Sequence, residues 1–407
     1  MQNLHCKTCT RPSLEFVHQF KVYATTWDVV SNTIITALRS DEEEDVVLLT
    51  RCDISEVSGS TGGLLESRIA SFECTEIVNL HYLPEKRWIC LVTIVGDLIV
   101  VREEPSENEE KIEIVGSVDA GISAAEWSPD EALLVLVTKV DTVLFMTQDF
   151  ECVFDYTLTP EDLKLSKHVD VGWGKEETQF KGRKARTLQD PTMPKAVDRG
   201  TLSDGDKGRA TVSWRGDGAF VAINSVASGY RRVIRVLSRE GILDSASEPV
   251  DGLTGSLSWR PAGNLVASIQ KLKAQVKVVF FERNGLRHGE FDLRFLPQDV
   301  DSVAKHDIHL AWNIDSTVLG VELYDRVQLW TMKNYHYSLK QAVPLPHRAL
   351  ERARQLWHPE IPLRFVMEHD KGFIDFHFGW KVATNRILNR RDHGIVAVID
   401  GGEYLHL

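Results

Sequence analysis

Long apolar runs are what this chain most plainly lacks. No stretch reaches the roughly 18 uninterrupted apolar residues that a membrane-spanning helix needs. The nearest, 88–101, is broken by Gly96 and Asp97 and reads as two strands around a turn. The opening MQNLHCKTCTRPS has no apolar core segment, so no signal peptide is expected. Cysteine is scarce. Without a secretory route the six, at 6, 9, 52, 74, 90 and 152, are expected to stay reduced, in the cytosol or nucleus. Positive charge is in deficit too: 47 basic against 59 acidic residues give a net charge of −12. No bulk field draws phosphate to the surface, so nucleic-acid contact requires a local patch. GxxxxGK[ST], HExxH and GxGxxG motifs do not occur, and none of the 14 histidines forms a legible dyad with Ser, Cys or Asp. No cofactor, metal or catalytic residue is expected.

What is present is a repeat. ATVSWRGDGAFVAINSV carries an apolar run ending at Trp214, a turn Arg215-Gly216-Asp217-Gly218 and a returning apolar run. The pattern recurs 45 residues later at Trp259, in SLSWRPAGNLVASIQ. Strand, tight turn and strand at a period of about 40–45 residues is the signature of a β-propeller blade. A hydrophobic fraction of 43% supplies the core, and 407 residues suit one seven-bladed ring.

Blade openings fall at Trp27, Tyr82, Trp127, Trp214, Trp259, Trp312 and Trp357, which predicts an all-β, seven-bladed WD40-type propeller over 13–400. Each tryptophan is expected to pack between neighbouring sheets while an Asp or Gly relieves the turn after it. Trp127, Asp130, Trp214, Asp217, Trp259, Trp312, Asp315 and Trp357 are therefore read as structural. Residues 1–12 read as a polar tail and 14–23 as a strand that completes the last blade, removing two sheet edges. That blade draws its later strands from Phe365, 374–378 and 394–399.

The 87 residues from Trp127 to Trp214 are too many for one blade. Charged and small residues over 158–210 read as a long polar insertion after the third blade, largely flexible, with a short ordered piece at 169–180. Trp173 would alternatively mark an eighth blade. The acidic run 41–45 reads as a solvated loop, and Arg215-Gly216-Asp217 as a hairpin turn despite its likeness to an integrin-binding peptide.

Four features are weighed for chemistry. Cys6-Lys7-Thr8-Cys9, with His5 before it, has the spacing of half a zinc site, but no second pair lies within reach. The run 204–208, DGDKG, begins like a calcium loop and lacks the remaining ligands. Gly59-Ser60-Thr61-Gly62-Gly63 has no strand-to-helix context for a phosphate cradle. Lys181, Arg183, Lys184 and Arg186 form the clearest basic run, readable as a solubilising loop or as a nucleic-acid contact.

WRGDGAFVAINS at 214–225, RVIRVLSREGILDSASEPVDGL at 232–253, WRPAGNLVAS at 259–268 and VVFFERNGLRHGEF at 278–291 closely resemble the family of the largest subunit of the Elongator complex. VDVGWGKEETQFKG at 169–182, VQLWTMKNYHYSLKQ at 327–341 and WHPEIPLRF at 357–365 are similar to the same family in the same order. The resemblance covers 120–407 well and the first hundred residues loosely. It implies two propellers in succession, followed by a helical-repeat region that dimerises and contributes to tRNA binding. On this reading 401–407 starts a connection to the second propeller, and the chain is an N-terminal fragment. The resemblance further implies a non-enzymatic scaffold whose partners are the WD-repeat second subunit and the catalytic third subunit. The third subunit modifies the wobble uridine of tRNA with a radical S-adenosylmethionine centre and acetyl-CoA. Nothing here matches those cofactor motifs. Direct tRNA contact through the basic run is the alternative, and an active site in the central channel a third reading.

Overall fold

Apolar runs cut by Gly, Asp and Asn turns fold as strands, because β-branched and aromatic side chains fit a pleated, half-buried surface and the turn residues reverse the chain. The computed structural model describes residues 2–10, 20–40, 46–53, 66–165, 198–273, 275–295, 306–333, 336–344, 355–369, 372–382, 398–400 and 404–406. The chain starts with β1 (Gln2–Thr10). The first blade follows as β2 (Phe20–Asp28), β3 (Thr33–Ser40), β4 (Val46–Asp53) and β5 (Glu66–Glu73). The second is β6 (Ile77–Leu83), β7 (Trp88–Thr93), β8 (Asp97–Arg102) and β9 (Ile112–Ser117). The third is β10 (Ile122–Trp127), β11 (Leu133–Thr138), β12 (Thr142–Thr147) and β13 (Cys152–Thr157). A single helical turn, α1 (Asp162–Leu165), comes next.

The fourth blade is β14 (Thr211–Trp214), β15 (Phe220–Ala227), β16 (Arg231–Ser238) and β17 (Leu243–Ala246). The fifth is β18 (Leu253–Trp259), β19 (Leu265–Leu272), β20 (Gln275–Glu282) and β21 (Arg287–Asp292). The sixth is β22 (His309–Trp312), β23 (Leu319–Glu322), β24 (Arg326–Lys333) and β25 (His336–Pro344). The seventh combines β26 (Gln355–Trp357), β27 (Arg364–His369) and β28 (Gly372–Val382) with β1. All seven are four-stranded antiparallel sheets. Their first strands, β2, β6, β10, β14, β18, β22 and β26, contact one another in order around the axis, and β2 closes back onto β27.

Three expectations about the ends are corrected. Residues 2–10 are not a tail; they are the outer strand of the seventh blade, with Leu4 opposite Trp380 and Cys6 opposite Phe378. Leu4 is buried in the core between blades six and seven, and that apolar contact is what a run of mostly polar residues concealed. The strand expected at 14–23 does not close the ring: 20–28 is the inner strand of the first blade, and 11–19 lies outside the described residues. Likewise, 398–400 does not join the seventh blade. β29 (Val398–Asp400) pairs with β30 (Tyr404–His406) in a separate two-stranded ladder, because β1 already occupies the edge of β28.

The tryptophans tie blade to blade. Trp27, Trp127, Trp214, Trp259, Trp312 and Trp357 are buried, each in a core shared with the preceding blade. Tyr82 does the same against the first blade. Three indoles donate backwards to the carbonyl one residue before the preceding blade's tryptophan: Trp27 to Leu356 at 3.4 Å, Trp214 to Glu126 at 3.3 Å and Trp357 to Ala311 at 3.1 Å. In blades five and six the backbone N–H of Trp259 and Trp312 donates instead to the serine before the previous tryptophan, Ser213 or Ser258. A side chain chosen for volume thus also satisfies a polar group at the blade junction.

Candidate interaction surface

Antiparallel order puts the first and third turns of every blade on one face and the second turns and blade-to-blade connections on the other. The insertion leaves and re-enters on this second face, and both of its ends are fixed by one strand. β16 carries Arg232 and Arg235 among Val233, Ile234, Val236 and Leu237, where a buried guanidinium requires a buried acid. Arg235, 2% exposed, donates to Asp162 at 2.8 Å, to the Thr159 carbonyl at 3.1 Å and to Ser225 at 3.1 Å. Asp162 also accepts the Tyr156 hydroxyl at 2.8 Å and the Thr159 N–H at 2.9 Å. Burial and the Asp162 hydrogen bond push the Tyr156 phenol up to about 12.

Arg232 holds the returning end. It grips Asp206 through two nitrogens at 2.5 and 2.6 Å and donates to the Arg209 carbonyl at 3.0 Å. Around this pair, 198–210 forms a strap across the face. Asp198 is bound by Arg287 of β21 at 3.1 Å, on the rim. Asp251 then accepts the N–H groups of Arg199, Gly200 and Thr201 and the Thr201 hydroxyl, all within 3.1 Å. Burial works to raise the Asp251 pKa, but these donors hold it below its ordinary value. Leu202 bridges to Leu253 in parallel. Near the axis, Lys207 reaches Asp307 before β22 at 2.9 Å, Arg209 reaches Glu76 before β6 at 3.2 Å, and the Ala210 N–H donates to Ser123 of β10.

The strap therefore touches blades two to six. The expectation of a largely flexible insertion is corrected for 158–165 and 198–210, which buried ion pairs hold; 166–197 lies outside the described residues. Lys181, Arg183, Lys184, Arg186, Trp173 and the piece at 169–180 fall within that stretch, and the acidic run 41–45 and the glycine run 59–63 also lie outside the described residues. The calcium-like 204–208 is the strap's inner bend, its Asp206 committed to Arg232.

On the opposite face lie the turns after each tryptophan. Asp130 accepts Ser128 at 2.6 Å and Arg239 of the next blade at 2.7 Å. Asp217 is gripped by Arg215 at 2.6 Å, and Asp315 accepts the Thr317 hydroxyl at 2.6 Å. Four residues past the tryptophan the backbone turns left-handed: Glu131 (φ 57°), Gly218 (φ 67°), Gly263 (φ 105°) and Ser316 (φ 63°). Two of these four are glycine, the residue that takes such a φ without steric cost. A cavity of about 280 Å³ opens between blades one and two, lined by Asp28, Val30, Arg51, Tyr82, Arg87 and Glu103. Its charges are internally matched, since Arg51 pairs with Asp28 and with Glu103, and Tyr82 donates to Glu103 at 2.9 Å.

Among the described residues no three His, Cys, Asp or Glu side chains are grouped to hold a metal. Cys6 and Cys9 sit on β1, with the Cys6 thiol directed at the Thr8 carbonyl. Burial pushes the Cys74 thiol up to about 11 and Cys90 to about 12, which leaves both protonated and unreactive at neutral pH. The strap and its arginines escaped the sequence reading. The available signal was Arg232 and Arg235 in an apolar run, each in need of a buried acid.

The family described as "ELP1 first N-terminal beta-propeller" matches residues 1–360. Elongator complex protein 1 of Schizosaccharomyces pombe is 42% identical over 334 residues, covering 81% of this chain and 26% of that protein. The Saccharomyces cerevisiae protein of the same name is 41% identical over 381 residues, covering 84% and 27%, and that of Oryctolagus cuniculus is 39% identical, covering 81% and 25%. The chain thus spans about a quarter of the length of these relatives. A chain in a crystal structure of the mitotic checkpoint complex has the same fold at TM-score 0.55 and 11% identity, covering 93% of this chain and 95% of that one.

Proposed function

The chain belongs to the Elongator complex protein 1 family, and from that premise we propose that it is a non-catalytic scaffold domain of Elongator. It docks other subunits of the complex and supports wobble-uridine modification of tRNA carried out elsewhere. The observation that carries this reading is the strap. Buried pairs Asp162–Arg235 and Asp206–Arg232 fix both ends of the insertion to a closed ring, giving a rigid face on which docking loops keep their positions. The strap also runs over the axial end of the inner strands, where a propeller enzyme would admit substrate.

The partners in this reading are the WD-repeat second subunit and the catalytic third subunit, met in the cytosol or nucleus; dimerisation and further tRNA contacts belong to the remaining three quarters of the relatives' length. Immobilised 407-residue chain, offered the separately purified second and third subunits, is expected to retain at least one. Retention of neither by folded chain sinks the scaffold reading for this domain.

A further inference from the structure

Two cysteines three residues apart on an ordinary strand point to opposite faces of the sheet, because side chains alternate. Cys6 and Cys9 on β1 point the same way. The register of β1 against β28 slips between Cys6 and Thr8, so Lys7 is the extra residue of a bulge, a device that re-aims side chains. Cys6 then stands opposite Phe378 and Cys9 opposite Phe376, two residues apart on β28 and therefore on one face. Lys7 lies over Gly379, on the other face, and does not intrude between the thiols.

The Cys6 thiol is turned along the strand, toward the Thr8 carbonyl at 3.2 Å and so toward Cys9. Burial, and then the neighbouring Cys9 thiol, raise the Cys6 pKa: the two sulfurs are close enough to feel each other's charge, and Cys6 is protonated while the pair is free. Cys6 is half-buried against the core of Leu4, Phe376 and Phe378, whereas Cys9 is exposed. One sulfur has an apolar wall behind it and the other is the point of entry. The remaining cysteines lack this arrangement, since Cys52, Cys74 and Cys90 are buried and Cys152 is the single cysteine of β13.

What the pair can hold follows from its spacing. Two residues of strand rise put the Cβ atoms about 6.5 Å apart, against about 3.8 Å in a disulfide, so the sulfurs cannot bond to each other without backbone movement. Two metal–thiolate bonds of about 2.3 Å each do span the gap. A structural zinc takes four ligands, and among the described residues no third His, Cys, Asp or Glu is grouped with these two. Soft thiolates select Cu(I), which is satisfied by two of them in line. We propose that Cys6 and Cys9 bind one Cu(I) ion between them on the outer strand of the seventh blade. Two S–H bonds break as two S–Cu bonds form, both protons pass to solvent, and the metal keeps its oxidation state. The proposal is independent of the scaffold reading.

The test is an anaerobic titration of the fully reduced 407-residue chain with Cu(I), in competition with bathocuproine disulfonate. Wild type is expected to take one ion per chain, with two sulfur neighbours by X-ray absorption at the copper edge. Cys6→Ser and Cys9→Ser should each weaken binding at least about 100-fold, the upper end of what even an outer-shell partner contributes to metal affinity. Cys152→Ser should bind as wild type does. Cys9 is exposed, so its variant should melt with wild type; if Cys6→Ser melts early, Cys6→Ala, which keeps an apolar contact with the core, takes its place. A peptide of residues 1–12 carries both cysteines without β28 to order them. It should bind at least about ten-fold more weakly than the folded chain, since ordering a single residue costs a factor of that size. The proposal is overturned if the chain takes no Cu(I) from the competitor, if the copper has a nitrogen or third sulfur neighbour, if Cys152→Ser abolishes binding, or if the peptide matches the folded chain.

Discussion

Trp259 is 2% exposed, packed on the fourth blade's Ala222 and Val236 and stacked 6.5 Å from Phe220. Removing its ring leaves a cavity that neighbouring strands, fixed by their ladders, fill only in part. Trp259→Ala is expected to lose about 3–5 kcal/mol in a denaturant melt. His358 makes a different point at the same scale. Its Nδ1 accepts the N–H groups of Glu360 and Ile361 at 3.0 Å, and burial together with Arg364 lowers its pKa to about 4. The native state thus keeps it neutral while the unfolded chain protonates near 6.5. The contribution is complete above pH 6.5 and is lost as pH falls toward 4, by about 1–2 kcal/mol after solvent screening. His358→Gln should flatten that slope in melts between pH 4 and 7; an unchanged slope would rule out His358 as its source. The tryptophans were legible because volume, spacing and turn residues all fall within a few positions. Partners such as Leu356 for Trp27 were not, because they lie a whole ring away in sequence.

At the level of elements, the strap separates two kinds of charge pair. Asp206 and Arg232 are nearly excluded from solvent, at 4% and 2% exposure. Asp206→Ala leaves an unpaired buried guanidinium and should cost about 3–5 kcal/mol. Lys207 and Arg209 are more than half exposed, and replacing both by Ala should cost under about 1 kcal/mol each. Matched urea melts of the two variants distinguish a built strap from a loop resting on the surface. Composition alone says that deleting part of 187–208 is tolerated; for 198–208 the buried pair says the reverse. The strap's small and charged residues hid it because its order comes from single polar contacts to several blades, with little apolar periodicity of its own. The blades were readable for the opposite reason: each repeats one pattern of strand, turn and strand.

For the whole molecule, closure depends on nine residues, Gln2–Thr10, that seal β28. Deleting them exposes that strand's edge and uncovers the core around Phe378 and Val343. The whole ring is expected to melt at a lower temperature with reduced cooperativity, whereas removal of a mere tail would leave the melt unchanged. The same pairing has a consequence in time. During synthesis β1 emerges about 370 residues ahead of its partner β28, roughly 20–75 s at ordinary elongation rates. Throughout that interval the first strand is an unsatisfied edge while blades one to six assemble behind it, so the window for mispairing, and for rescue by chaperones, is set by the ribosome.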